Sequence, residues 1–212
     1  MFPKKLQFEL LDPQRQEVFN KLRPFRKEAI LAGGTALCLQ IAHRFSFDFD
    51  LFFERELTSK DLKKLKRLVK LKEVGLETSE QINAITIENI SMNLVYYPYR
   101  PLFKKIQTFS LSLFSAKDIA LDKAFTIGRR AMWRDYVDLF FILKNKIFTL
   151  ENLIKYAEKK FKFNFNPRLF LEQLVYFKDV EILKISYVNE KFSEKEIKKF
   201  LIDEVKRFKK NL

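Results

Sequence analysis

Glycine is scarce in this chain, with 4 residues in 212, where average usage of about 7% gives about fifteen. Cysteine and histidine are scarcer still, at one each, Cys38 and His43. A single cysteine excludes an internal disulfide, and one histidine excludes a zinc centre built from several Cys and His ligands. Ser-His nucleophilic catalysis loses most of its ground for the same reason. No apolar run approaches the roughly 18 residues of a membrane span; the longest comparable stretch is Leu139 to Leu143. The segment Met1 to Leu11 carries no signal-peptide pattern. These absences lead to the expectation of a soluble, cytoplasmic protein with no membrane partner.

What is present is positive charge. Lys and Arg number 41 against 27 Asp and Glu, a formal net charge of +14. Such an excess favours a polyanionic partner, nucleic acid above all, although solubility alone also accounts for a basic surface. At about 150 residues per domain the length suits one large domain or two small ones, and either can bury a core.

Asp12 and Pro13 supply an N-cap and a first-turn proline for a short helix whose Val18, Phe19 and Leu22 share a face. Ala29 to Ala32 reads as a buried strand. It stops at Gly33-Gly34, and Thr35 then opens a helix with Leu37, Cys38, Ile41 and Ala42 inward. A chain so poor in glycine that keeps two side by side is meeting a backbone requirement, either a positive φ or a close approach by a ligand. From Phe45 to Phe53 the period becomes two, with Phe47, Phe49 and Leu51 on one face and Ser46, Asp48 and Asp50 on the other.

Ser59 caps a helix with Leu62, Leu65, Leu68 and Val69 inward and Lys60, Lys63, Lys64, Lys66, Arg67 and Lys70 outward. Ala84 to Glu88 and Ile90 to Tyr97 alternate on either side of Asn89 and predict a hairpin. From Ser115 the period is helical to the end, with helices expected near 116–127, 133–144, 150–161, 168–178 and 194–210. Capping boxes are expected at Ser115/Asp118 and Ser193/Glu196, and Asn166 and Pro167 mark another start. The fold class is therefore α+β: an α/β core over residues 1–112 followed by a helical subdomain over 113–212 packed on it.

The order strand, Gly-Gly-Thr, helix, strand with Asp-x-Asp suits a nucleoside triphosphate. Gly33 and Gly34 let backbone approach a phosphate, and Thr35 lies where a helix N-terminus presents free N–H groups to it. Two adjacent carboxylates repel unless hard divalent cations, Mg²⁺ or Mn²⁺, lie between them and the phosphates, which marks Asp48 and Asp50 as metal ligands. Taken alone, a Gly-Gly pair is a turn and an Asp-x-Asp a solvated strand edge. Their order and spacing make them a candidate site.

These residues resemble the nucleotidyltransferase superfamily with a polymerase-β-like core, whose signature is Gly-Gly or Gly-Ser followed by Asp-x-Asp or Asp-x-Glu on the next strand. The stretch Leu31-Ala32-Gly33-Gly34-Thr35-Ala36-Leu37 with His43-Arg44-x-Ser46-x-Asp48-x-Asp50-Leu51 is similar, more narrowly, to the AbiEii/AbiGii-type nucleotidyltransferase toxins of type IV toxin–antitoxin systems. Lys123-Ala124, Gly128-Arg129-Arg130 and Arg134-Asp135-x-x-Asp138-Leu139 match that family's C-terminal motifs. The resemblance implies a magnesium- or manganese-dependent enzyme that moves a nucleoside monophosphate from an NTP to a hydroxyl acceptor. It suggests tRNA as acceptor and a separate antitoxin protein as regulator. It also implies nucleotide-binding roles for Gly33, Gly34, Thr35, Arg44, Ser46 and Lys123, and catalytic roles for Asp48, Asp50, Lys123 and Asp135.

The residues themselves agree in part. Lys123 is a point charge suited to phosphate. Arg134 and Asp138, four apart on one helical face, can pair, which leaves Asp135 to meet the nucleotide or Lys123. Arg44 suits either a phosphate or pairing with Glu54 or an aspartate. His43 suits a helix C-terminus or a substrate edge, Cys38 a buried apolar position, and Trp133 and Tyr136 packing between the two halves. The basic helix after Ser59 and the C-terminal helix are either solvated faces or tracks for an RNA backbone.

The family pattern departs at one point: the superfamily's third carboxylate aligns with Asn93, which cannot act as a base. Three outcomes stay open: Asp135 or substrate phosphate completes the site, that strand aligns differently, or the chain is a weak or lapsed nucleotidyltransferase fold that binds RNA. A further reading, transfer to a protein hydroxyl, sits poorly with the basic charge.

Overall fold

The computed structural model describes residues 5–130 and 132–210, so the first four residues of the Met1–Leu11 segment lie outside the described residues. The chain divides into two compact units, Met1–Ser115 and Ala116–Leu212.

The first unit begins with α1 (Pro13–Lys21), capped by Asp12, whose side chain accepts from the Arg15 backbone N–H at 2.9 Å. Strand β1 (Ala29–Ala32) runs directly into α2 (Gly33–Ile41), so the helix opens two residues before Thr35. Strand β2 (Phe49–Phe53), helix α3 (Ser59–Leu68) and strands β3 (Leu71–Glu77), β4 (Gln81–Thr86) and β5 (Ser91–Tyr96) complete it. The five strands form one sheet in the order β1-β2-β5-β4-β3. β2 and β5 are parallel and the other neighbours antiparallel.

The sheet is two-faced, as strand periodicity dictates. Phe49, Leu51, Phe53, Ile82, Ala84, Met92 and Leu94 are buried on one side, where Phe19 of α1 stacks near Phe49 and Phe25 meets Phe53 edge-on. Asp50, Phe52, Gln81, Asn83, Ser91, Asn93 and Val95 are half-buried on the other.

Three details depart from the sequence reading. The strand expected from Phe45 begins only at Phe49, because β1, its partner, ends opposite Asp50. Phe47 is accordingly exposed (44%); its carbonyl accepts from Arg15 Nε and its ring takes the Arg15 guanidinium at 4.7 Å. The cap of α3 is Thr58, not Ser59, in a reciprocal box with Asp61. Finally, β3 carries no alternation because it is a largely exposed edge strand with irregular register, recognisable only by its pairing with β4.

The second unit is helical: α4 (Ala116–Ile127), α5 (Trp133–Lys144), α6 (Leu150–Phe161), α7 (Pro167–Leu174) and α8 (Glu194–Lys210). Asn166 caps α7, and Ser193 and Glu196 form the expected box at α8. α7 stops at Leu174, short of 178, where Tyr136 Oη donates to the Gln173 carbonyl at 3.0 Å and so satisfies one of the helix's orphan acceptors. Within this unit Tyr136 packs against Trp133 and Phe177. Burial pushes the Tyr136 phenol up to about 12, with Asp179 and Asp135 adding to the effect. Lys160, buried on α6, reaches Asp122 at 2.6 Å and Asp118 at 3.6 Å on α4. Among the described residues no helix is long and apolar enough to cross a membrane.

Candidate active site

The junction of β1 and α2 explains both glycines. Gly33 has φ +67°, a left-handed conformation that disfavours a side chain, and a Cβ there would lie 2.0 Å from Asp50 Oδ2. A Cβ on Gly34 would lie 2.7 Å from Ser46 Oγ and 2.8 Å from Arg44 Nη2. The close approach anticipated for a ligand is therefore made first by the protein: Gly33 seats the Asp50 carboxylate, and Gly34 seats Ser46 and the Arg44 guanidinium. Ala32 gives α2 no side-chain cap, so its first N–H groups are not taken by the N-cap side chain.

Thr35 is buried and its hydroxyl donates to the Asp48 carbonyl at 2.5 Å. Its place in the structure is to tie α2 to the backbone of the first aspartate. His43 is buried just past the α2 C-cap, Ala42, which takes a left-handed turn (φ 48°). Arg44 is buried and donates to the Phe45 carbonyl at 3.1 Å. Glu54, the partner weighed for it from sequence, instead faces Arg100 at 3.5 Å and Lys105 at 3.9 Å.

Asp50 and Asn93 are directly opposed across the β2–β5 ladder, and Asn93 Nδ2 donates to Asp50 Oδ1 at 2.9 Å. The neutral Asn93 thus lies beside Asp50. Among the described residues no group of three or more His, Cys, Asp and Glu converges as a metal cage would. The oxygen donors that are present, the carboxylates of Asp48 and Asp50, suit a hard cation that keeps several of its other positions for water and phosphate, while Asn93 turns its amide nitrogen toward Asp50.

Gly33→Ala is expected to separate fold from geometry here. The new methyl cannot coexist with Asp50 Oδ2, so any chemistry that uses this carboxylate should drop by at least about a hundredfold, while the strained φ costs of order 1 kcal/mol or more in stability. A variant of unchanged activity and melting temperature would mean that Gly33 and Asp50 are not in contact.

The second block lies within the helical unit. Lys123 of α4 is nearly buried, and its ammonium sits 2.5 Å from Asp135 Oδ1 and 2.9 Å from Asp138 Oδ2 on α5. Arg130 Nε approaches Asp135 from outside at 3.4 Å. The Arg134–Asp138 pair considered from sequence is replaced: Asp138 is fully buried with Lys123, and Arg134 is exposed. Spacing of four allowed either arrangement; the α4–α5 packing selects the buried one.

A mixed five-stranded sheet, a Gly-Gly strand-to-helix junction against an aspartate on the adjacent strand, and a following helical unit define a protein of the nucleotidyltransferase class. More particularly, the chain belongs to the family of nucleotidyl transferase AbiEii toxins of type IV toxin–antitoxin systems, whose model matches residues 19–90 and 75–210. An uncharacterised protein of Aquifex aeolicus (strain VF5) is 34% identical over 152 residues, covering 70% of this chain and 73% of that protein. Among solved structures, a proposed nucleotidyltransferase from H. pylori superposes with a TM-score of 0.59 at 19% identity, covering 95% of this chain and 97% of its own. MenT4, a nucleotidyltransferase toxin from Mycobacterium tuberculosis H37Rv, gives a TM-score of 0.57 at 14% identity, covering 92% and 84%. At these identities the two structures speak for the fold alone.

Proposed function

We propose that this protein transfers a nucleoside monophosphate from an NTP to a hydroxyl of an RNA acceptor, tRNA in the first instance, as the toxin of a toxin–antitoxin pair. The observation that carries the reading is the seating of Asp50 against Gly33, which aligns a carboxylate with the N-terminus of α2. In this reading the N–H groups of that terminus, the Arg44 guanidinium and the Ser46 hydroxyl receive the triphosphate. Asp48 and Asp50 hold magnesium or manganese, which supplies neutralisation of the charge that develops on the phosphates. The acceptor oxygen bonds to the α-phosphorus, the bond from the α-phosphorus to the bridging oxygen breaks, and pyrophosphate leaves. Asn93 cannot take the hydroxyl proton, so it passes to phosphate or solvent. Lys123 and Asp135 enter this proposal on their motif alone.

The test is incorporation of α-labelled NTPs into an unfractionated tRNA pool with and without Mg²⁺, alongside pyrophosphate release. A neutral residue opposite Asp50 favours one second reading, an RNA-binding protein of weak catalysis. That reading requires RNA binding without pyrophosphate release.

Either way RNA affinity should depend steeply on salt. On α3 the cations Lys60, Lys63, Lys66 and Arg67 are exposed and carry no ion pair among the described residues, and its acid, Asp61, is turned inward to Arg55. α8 instead interleaves its cations with Glu194 and Glu204, which pair with Lys198 and Arg207. Each phosphate neutralised adds about 0.7 to 0.9 to the log–log slope. A slope near zero between about 50 and 200 mM salt would remove RNA as the partner.

A further inference from the structure

The half-buried face of the sheet carries a row of amides that runs sideways from Asp50. Asn93 lies opposite Asp50 on one side and opposite Asn83 on the other. Side chains directly opposed on neighbouring strands are contact neighbours. Asn93 Nδ2 donates to Asp50 Oδ1 at 2.9 Å, and Gln81 Nε2 donates to Asn83 Oδ1 at 2.7 Å.

These two bonds fix the two amides in opposite senses. A carboxylate only accepts, so Asn93 must turn its nitrogen toward Asp50 and present its oxygen elsewhere. Gln81 donates to the oxygen of Asn83, so Asn83 presents its nitrogen. Among the described residues neither Asn93 Oδ1 nor Asn83 Nδ2 has a hydrogen-bond partner. An acceptor and a donor therefore stand side by side, one strand spacing apart, next to a proposed metal-binding carboxylate.

We propose that Asn93 and Asn83 bind the cis-diol of a ribose, one hydroxyl donating to Asn93 Oδ1 and the other accepting from Asn83 Nδ2. Because Asn93 is bonded to Asp50, whatever these amides hold lies beside the reacting phosphate, and in a nucleotide the sugar adjoins that phosphate while the base does not. The ribose belongs either to the incoming NTP or to the terminal nucleotide of the acceptor. A site whose polar groups are matched to hydroxyls discriminates against the analogue that lacks one, since a donor or acceptor is then left unpaired. Asn83 is a binding residue in this scheme, and Gln81 is a positioning residue that acts through it. The inference rests on the nucleotidyl-transfer reading above.

The full chain with Mg²⁺ is assayed in separate arms. In the donor arm NTPs are compared with dNTPs; in the acceptor arm tRNA ending in adenosine is compared with tRNA ending in 2′-deoxyadenosine. The expected result is a preference for ribose of about tenfold or more in at least one arm, which identifies the sugar held. In Asn83→Ala that preference should fall below about threefold, the scale of one neutral hydrogen bond. Gln81→Met, which leaves Asn83 in place but unoriented, should lie between the two and also covers the case in which Asn83→Ala does not fold. Wild-type protein without a ribose preference in either arm, or a preference that survives both substitutions, overturns the proposal. Absence of transfer in every arm overturns the parent reading, and this one with it.

Discussion

Replacement of Asp50 by Asn is expected to lower nucleotide transfer several hundredfold, of the order seen when one preorganised electrostatic contact to a transition state is lost. The substitution keeps the shape of the side chain. Its oxygen can still accept from Asn93 Nδ2, now 2.9 Å from Asp50 Oδ1, and its amide still fits over Gly33. Folding should therefore survive, and because one of two neighbouring carboxylates is gone, the metal-free variant should melt no lower than the parent. Asp48→Asn should behave alike, with Thr35 still bonded to the unchanged carbonyl of that residue. Incorporation of labelled nucleotide and a melting curve measure the two effects separately. Full activity in either variant with Mg²⁺ present would move the reaction away from this strand.

Lys123→Ala should act first on stability. The two carboxylates that face the ammonium are 2% and 0% exposed, so its removal strips both of the cation they share inside the unit, with the largely exposed Arg130 still 3.4 Å from Asp135. Breaking a buried pair by removing one partner costs about 3–5 kcal/mol, which lowers the melting temperature by on the order of 10 °C in a chain of this size. Lys123→Met combined with Asp138→Asn should recover part of the loss by removing one buried charge along with the lysine. Retention of the wild-type melting temperature in Lys123→Ala would show that solvent reaches the pair and that its geometry is not structural. A loss of activity in a variant this unstable says little about phosphate contact unless a stability-matched control is run beside it.

Local chemistry was legible from the sequence wherever one residue type has one main physical use. Asp12-Pro13, Asn166-Pro167 and Ser193/Glu196 begin helices because their side chains cap free N–H groups, and the structure begins helices there. Gly33-Gly34 stood out against the scarcity of glycine, and the order of Gly-Gly, Asp48 and Asp50 pointed to the nucleotidyltransferase class. Asn93 could be aligned with a missing carboxylate, and strand register sets it against Asp50.

Other features depended on which elements meet. Edge strand β3 has no inward-facing stripe to betray it, and Phe45 to Asp48 alternates like a strand but has no strand to pair with. Whether Asp138 meets Arg134 on its own helix or Lys123 on the next was undecided by spacing, because an i,i+4 pair at the surface is worth only a few tenths of a kcal/mol and yields to packing. The partners of Gly33, and the opposed senses of the Asn83 and Asn93 amides, exist only across strands. A sequence fixes what each side chain can donate, accept or bury, but long-range pairing decides which of those capacities are used and which remain for a substrate.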